Sequence, residues 1–236
     1  MNEGNKFKTT YSFDPNGNML ALQRYNEQAQ LYDNFQYQYN NTTNGYKENT
    51  NRLRSIFDPI TLSGIASDDI DNQEIENYTY NEIGQMIADK SKEIEKVEWN
   101  LSAKPIAFIR PQNSTKPNVY FVYDALGNKV SKTVVPKNAP SKTTYYVRDA
   151  TGNIMAEYTN TNTEHHIYGS SRLGIAKTTG KDYELTDHLG NVRTTIAENG
   201  SISYAADYYP YGRIAKKYSL TPVSYTHLTL PTNREV

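Results

Sequence analysis

The sequence predicts an all-β protein in which consecutive antiparallel hairpins wind into a spiral sheet. Three observations carry that reading. A turn of the form [Asp/Asn]-x-x-Gly, followed by Asn or Gln, recurs along the chain. It stands as Asp14-Pro15-Asn16-Gly17-Asn18, Asn81-Glu82-Ile83-Gly84-Gln85, Asp124-Ala125-Leu126-Gly127-Asn128, Asp149-Ala150-Thr151-Gly152-Asn153 and Asp187-His188-Leu189-Gly190-Asn191, with a looser copy at Tyr209-Pro210-Tyr211-Gly212. The segments beside these turns alternate with period two rather than 3.6. Tyrosine is also abundant, at 21 copies against 6 Phe and 1 Trp, which suits half-buried strands where a ring covers the pleat and its hydroxyl still reaches a polar partner.

The turn explains itself chemically. The first Asp or Asn is expected to accept hydrogen bonds from amides two or three residues on. Two right-handed residues follow, and glycine then takes the left-handed conformation that a side chain penalises. A type I turn closed by such a glycine is a common three-residue hairpin loop with a bulge. Pro15, at the second position, brings the φ that this position needs.

Taken in order, the flanks read as strands. Val119-Tyr120-Phe121-Val122-Tyr123 precedes one turn, and Lys129-Val130-Ser131-Lys132-Thr133-Val134 follows it. Ile154, Ala156 and Tyr158 alternate with Met155, Glu157 and Thr159; Val192, Thr194 and Ile196 alternate with Asn191, Arg193 and Thr195. Ala197-Glu198-Asn199-Gly200-Ser201 adds a hairpin through its Asn-Gly turn. The glycine intervals are irregular, which excludes a fixed-period solenoid and fits a winding sheet with variable strand lengths.

Residues 1–218 read as one continuous domain. Within it, a polar tract carries Tyr32, Phe35, Tyr37 and Tyr39 and turns near Asn44-Gly45, and 61–76 (TLSGIASDDIDNQEIE) reads as an acidic surface segment. The loops at 110–118 and 136–142 are punctuated by Pro and Asn. The final stretch PVSYTHLTLPTNREV, 222–236, has no turn pattern and reads as a non-native, adapter-like tail outside the fold. The native protein is then expected to continue past it.

Composition narrows the function. The 25 basic and 26 acidic residues leave a net charge of −1, so no basic stripe points to nucleic acid. The absence of cysteine removes disulfides and thiolate metal sites. No signal-peptide core and no apolar run of membrane-spanning length is present.

No residue set reads as catalytic, cofactor-binding or metal-binding. Asp187-His188 lies inside a turn. His165-His166 would face opposite ways on a strand. Asp68-Asp69-Ile70-Asp71 lacks the glycine and distal glutamate of a calcium loop. Ser170-Ser171 has no nucleophile-elbow context. The candidate site residues are therefore structural: Asp14, Gly17, Asn81, Gly84, Asp124, Gly127, Asp149, Gly152, Asp187, Gly190 and Gly212.

With these residues in view the chain resembles the RHS (rearrangement hotspot), or YD-repeat, family of bacteria. The Tyr/Phe-Asp-x-x-Gly-Asn signature stands at Phe13-Asp14 and Tyr123-Asp124, with a variant at Tyr80-Asn81. An ordered run is similar to the family's repeat-associated core: IEKVEWNLSAKPIAF (94–108), VYDALGNKVSKTV (122–134), YYVRDATGNIMAEY (145–158), HHIYGSSRLGI (165–175), YELTDHLGNVRTTI (183–196) and DYYPYG (207–212). The resemblance implies a segment of a hollow β-shell, secreted or at the cell surface, that encloses a C-terminal effector or toxin. Its partners would be the remainder of its own polypeptide, further repeats and effector together. The effector and the self-cleavage region lie outside this sequence, so the segment itself is expected to be no enzyme. The alternative is a surface module that binds cell-surface glycans through exposed tyrosines. A fragment of such a sheet is expected to leave an unpaired edge and to associate in isolation.

Overall fold

The structure, a computed structural model, describes residues 3–39, 41–43, 46–48, 50–60, 70 and 72–219. The Asn44-Gly45 turn, Asp68, Asp69, Asp71 and the stretch 222–236 lie outside the described residues. The protein is all-β, and its hairpins follow one another in chain order. Contacts gather into two compact units: 1–97 with 110–112, and 98–109 with 113 onward. Pairing between chain neighbours keeps contacts local, so each unit builds its own ladder.

The first unit holds β1 (Thr9–Phe13), β2 (Met19–Tyr25), β3 (Leu31–Gln38), β4 (Asn41–Thr43), β5 (Tyr46–Glu48), β6 (Ser55–Phe57), β7 (Tyr78–Tyr80) and β8 (Met86–Asp89). Strands β1, β2, β3 and β6 form one sheet; β4–β5 and β7–β8 are separate pairs. Leu22, Phe35 and Ile56 are the buried core of this unit, with Tyr11, Met19, Tyr37 and Leu53 packed against them. Each fully buried side chain of this size contributes about 1.5–3 kcal/mol. Beside them Arg24 Nε meets Asp33 Oδ2 at 2.5 Å out of solvent, and the guanidinium lies 5.3 Å from the centre of the Phe35 ring. Loss of either charge would strand the other in a dry site.

The second unit is built on a twelve-stranded meander in which every strand neighbours the next in sequence. It comprises β9 (Lys96–Trp99), β10 (Pro105–Ile109), β11 (Asn118–Tyr123), β12 (Lys129–Val135), β13 (Lys142–Arg148), β14 (Ile154–Tyr158), β15 (Thr163–Tyr168), β16 (Arg172–Lys177), β17 (Gly180–Thr186), β18 (Val192–Ala197), β19 (Ile202–Tyr208) and β20 (Ile214–Ser219).

Register assigns its two faces. On one, Ser131 faces Tyr145, Tyr145 faces Tyr158 and Ala156 faces His165. That face carries little charge, and its tyrosines and aliphatics are open: Tyr145 is 55% exposed, Val122 55% and Leu185 54%. On the other face Tyr146, Glu157, Glu164 and Lys177 stand in one row. Here Ile175, His166 and Glu157 are buried. Long charged side chains cover one another through ion pairs, Lys177 with Asp182 at 2.8 Å and Arg172 with Glu184.

One sequence expectation requires correction. The alternation of Ile154 with Ala156, and of Val192 with Thr194, is interrupted. Ile154 pairs with Arg148 but Ala156 pairs with Val147; Val192 pairs with Thr186 but Thr194 with Leu185. One residue on each strand, Met155 and Arg193, is extra to the register. A β-bulge therefore puts the residues on either side of it on opposite faces.

Candidate functional site

The feature that recurs through this molecule is one kind of closed turn. Loops headed by Asp14, Asn26, Asn81, Asn100, Asp124, Asp149, Asp187, Ala197 and Tyr209 share one backbone arrangement. The N–H of the head donates to the carbonyl four residues on, and the N–H three residues on donates to the carbonyl of the head, all at 2.8–3.1 Å. Gly17, Gly84, Gly127, Gly152, Gly190 and Gly212 each occupy the fourth position, with φ between 81° and 91°. Only glycine takes that conformation without penalty.

In the copies headed by Asp or Asn, the side chain of the head closes the loop. Asp124 Oδ1 accepts from the amides of Leu126 (2.9 Å) and Asn128 (2.8 Å). Asp149 does the same with Thr151 and Asn153, and Asp187 with Leu189 and Asn191. The second carboxylate oxygen is taken by the Asn amide at position five, as in Asp14–Asn18 (2.8 Å), Asp149–Asn153 (2.9 Å) and Asp187–Asn191 (2.9 Å). Where the head is Asn81 or Asn26, position five is Gln and the bond reverses; the Asn100 loop carries Lys104 there and is closed by its backbone amide alone. Asn81 Nδ2 donates to Gln85 Oε1 at 2.8 Å, and Asn26 Nδ2 to Gln30 Oε1 at 3.0 Å. A carboxylate only accepts and needs a donor partner, whereas an amide has N–H groups left over and needs an acceptor. That is the physical content of the Asp…Asn and Asn…Gln spellings.

These bonds favour the ionised head. The amide of Asn153, then the Thr151 hydroxyl, holds the Asp149 carboxyl down at about 2. Asp14 and Asp187 are lowered first by the side chains of Asn18 and Asn191, and Asp124 first by the backbone amide of Asn128.

Three features of these turns were not read from the sequence. Asn26 and Asn100 head full copies of the loop, with Ala29 (φ 59°) and Ala103 (φ 53°) in the glycine position. A search keyed on glycine passes over them, although Asn26-…-Gln30 keeps the Asn…Gln spelling. The Asn199-Gly200 pair is not a two-residue turn. It fills positions three and four of the loop headed by Ala197. In the Tyr209 copy the third residue, Tyr211, is itself left-handed (φ 67°, ψ 14°), so its central pair departs from type I.

A bulge follows these loops at a fixed distance. Leu20, Tyr32, Ile87, Val130, Met155, Arg193, Ser203 and Ala215 are each left out of register six residues after the head. Bulges bend a strand and increase its twist, so every such hairpin receives the same local bend.

Neighbouring hairpins then part at that rim, and a side chain spans the gap. The ladder between β10 and β11 runs from Phe108–Val119 to Ala107–Tyr120. Beyond it Tyr123, the residue before the head, donates its hydroxyl to the Pro105 carbonyl at 2.9 Å. Tyr168 reaches the Ile154 carbonyl (3.1 Å) and Tyr208 the Val192 carbonyl (2.8 Å) in the same way. Arg148 takes the role by donating from Nε to the Lys129 carbonyl (3.2 Å). In each case the acceptor lies five residues after the head of the preceding loop on that rim. In the first unit Tyr80 donates to the Leu53 carbonyl at 2.8 Å.

The remaining candidates are placed plainly. Asp187 is occupied by its turn, and His188 is exposed beside it. His165 is exposed and His166 buried, on opposite faces. His166 Nε2 lies 3.6 Å from Glu157 Oε1, with side-chain exposures of 1% and 8%. Strand pairing alone brings these two together. Ser170 and Ser171 lie in the short β15–β16 connection. Among the described residues no group of three His, Cys, Asp or Glu is placed to hold a metal ion. Among the described residues no helix is long and apolar enough to cross a membrane.

No protein-family model and no curated protein matches the chain. Solved structures do. The crystal structure of TcdB2-TccC3 without its hypervariable C-terminal region aligns over 89% of this chain with a TM-score of 0.56 and 15% identity. Structures titled TcdB2-TccC3-Cdc42 and TcdB2-TccC3-TEV align over 89% with TM-scores of 0.40 and 0.42, at 9% and 10% identity. The chain spans 10% of the first of these chains and 15% of the other two. At such identity the first likeness establishes a shared fold, consistent with an RHS-type sheet.

Proposed function

We propose that this chain is a wall segment of an RHS-type shell that encloses and delivers a C-terminal effector. Its work is mechanical rather than catalytic, and its partners are further repeats and the effector of its own polypeptide, secreted or at the cell surface. The observation that carries the reading is the stitched, bulged hairpin. Each copy adds the same bend, and each stitch holds the next hairpin to the last where the ladder gives out. Sheets that grow by such increments curve, and a curved sheet that continues pairs its own edges. The fold shared with a segment of the TcdB2-TccC3 structure supports the reading.

The test uses the polypeptide encoded by the complete genomic reading frame. Electron microscopy is expected to show a hollow particle, with the segment downstream of this chain resisting protease until the particle is denatured. A solid or extended particle, or a downstream segment digested at once, overturns the proposal.

The open tyrosine face favours a second reading, a module for neutral glycans. Tyr120, Tyr145 and Tyr158 are 39%, 55% and 38% exposed on a face with little charge. Glycan-array binding abolished by Tyr145→Ala and Tyr158→Ala together, with the fold intact, would support it. An array with no binding would remove it.

A further inference from the structure

On the charged face of the second unit, cations late in the sheet meet carboxylates on the neighbouring strand: Arg172 meets Glu184 and Lys177 meets Asp182. On β12 and β13 the same face differs. Lys129, Lys132 and Arg148 gather there, and among the described residues none of them forms an ion pair. Lys132 stands directly across from Phe121 and Lys129 across from Tyr123. Lys129 Nζ lies 4.6 Å from the centre of the Phe121 ring, and Phe108 packs edge-on against that ring at 5.9 Å. Arg148 is fixed by Nε on the Lys129 carbonyl and by a terminal nitrogen on the Gly152 carbonyl (2.6 Å). Its other donors remain.

The nearby acids form no ion pair with these cations: Asp124 and Glu157 act on Arg148 and Lys129 through charge alone, and at Lys129 this offsets only part of the opposing effects. Asp124 is closed by Asn128 and the turn amides. Glu157 lies beside His166. All three cations are half-buried, and burial first, then the charges of Lys132 and Arg148, hold the Lys129 amine below the usual lysine range. Like charges held together and partly desolvated raise the energy of the folded chain. Ammonium and guanidinium donors around a fixed aromatic wall are a ready complement to an anion.

We infer that Lys129, Lys132 and Arg148, walled by Phe121, form a binding site for an oxyanion of carboxylate or phosphate chemistry. The bound anion supplies the counter-charge that Glu184 and Asp182 supply to Arg172 and Lys177. Lysine ammonium groups act as point charges and Arg148 adds directed N–H groups, so tetrahedral and planar oxyanions both fit.

The test is a titration of the full chain with inorganic phosphate at constant ionic strength, chloride being exchanged for phosphate. The signals of the lysine ε-methylene groups are followed by NMR. The Lys129 and Lys132 signals are expected to shift and saturate while Lys137 and Lys142 do not. Lys132→Gln is expected to weaken binding about tenfold, the scale of one charge-assisted hydrogen bond, and Lys137→Gln to leave it unchanged. Hexaglutamate in place of phosphate separates the sources. Saturation at lower concentration by the peptide assigns a polypeptide carboxylate, and saturation by phosphate alone assigns a free or ester phosphate. Shifts that fail to saturate with either probe, that chloride reproduces, or that Lys132→Gln leaves intact in a folded protein overturn the site. Lys129→Met, which keeps the stem that covers Phe121, gives the same readout should Lys132→Gln perturb the sheet.

Discussion

The hydroxyl of Tyr123 donates a 2.9 Å hydrogen bond to the carbonyl of Pro105, one hairpin back along the rim. This is why a tyrosine precedes the turn aspartate. The ring packs on the charged face, against Phe121 at 6.5 Å, and its hydroxyl closes the gap that the bulged neighbour opens.

Tyr123→Phe removes the bond and keeps the ring. Chemical denaturation is expected to show a loss of about 0.5–1.5 kcal/mol. The same change at Tyr168 or Tyr208 should cost a similar amount, and the three should add, because they stitch different hairpins. Hydrogen exchange of the rim amides next to the stitches should quicken more than exchange at the opposite rim. Equal exchange on both rims would count against the stitch.

Glycine and alanine in the fourth turn position make a reciprocal pair. Gly152 has φ 91° and Ala103 φ 53°. Gly152→Ala meets a left-handed penalty of about 1–2 kcal/mol, offset in part by about 0.4–1 kcal/mol from a stiffer unfolded chain. Ala103→Gly reverses both terms. Urea midpoints are expected to fall for the first variant and to rise for the second.

The amide and carboxylate spellings should be interchangeable as pairs and not singly. Asp149→Asn sets one amide against another at Asn153. Adding Asn153→Gln recreates the arrangement of Asn81 with Gln85. Melting temperatures are expected to rank the parent first, the double variant next and Asp149→Asn last. A double variant below the single one would contradict the pairing rule.

Acid sensitivity follows from the same carboxylates. The folded value for Asp149 is about 2, against an ordinary 3.8. A group lowered on folding contributes stability above its unfolded value and loses it as pH falls through the folded one. Melting temperature should therefore be insensitive to these groups from neutrality down to about 4 and fall between about 4 and 2. Neutral amides and a hydroxyl cause the shift of Asp149, so added salt should alter the profile little. Asp149→Asn should flatten it.

Much of the fold was legible because the turn is a local demand. A left-handed fourth residue, a head that accepts amides and a partner five positions along are written within a few consecutive residues, as at Asp124 and Gly127. The copies headed by Asn26 and Asn100 escaped because alanine can be forced into a conformation it does not prefer when surrounding pairing over-determines the loop. The bulges at Met155 and Arg193 escaped for a different reason. Their own residues look like ordinary alternating strand, and only the partner strand reveals the surplus position.

The sequence alone determined where this chain reverses and that the segments between reversals are strands, since backbone conformational preference and hydrogen-bond closure act over a handful of residues. Tertiary structure decided the rest: which face Ile154 or Ala156 takes, that Tyr123 reaches Pro105, that His166 meets Glu157, and that Lys129 and Lys132 stand on one face with Arg148, none of them in an ion pair among the described residues. Those outcomes depend on register between strands, and a single bulge exchanges the faces of everything beyond it.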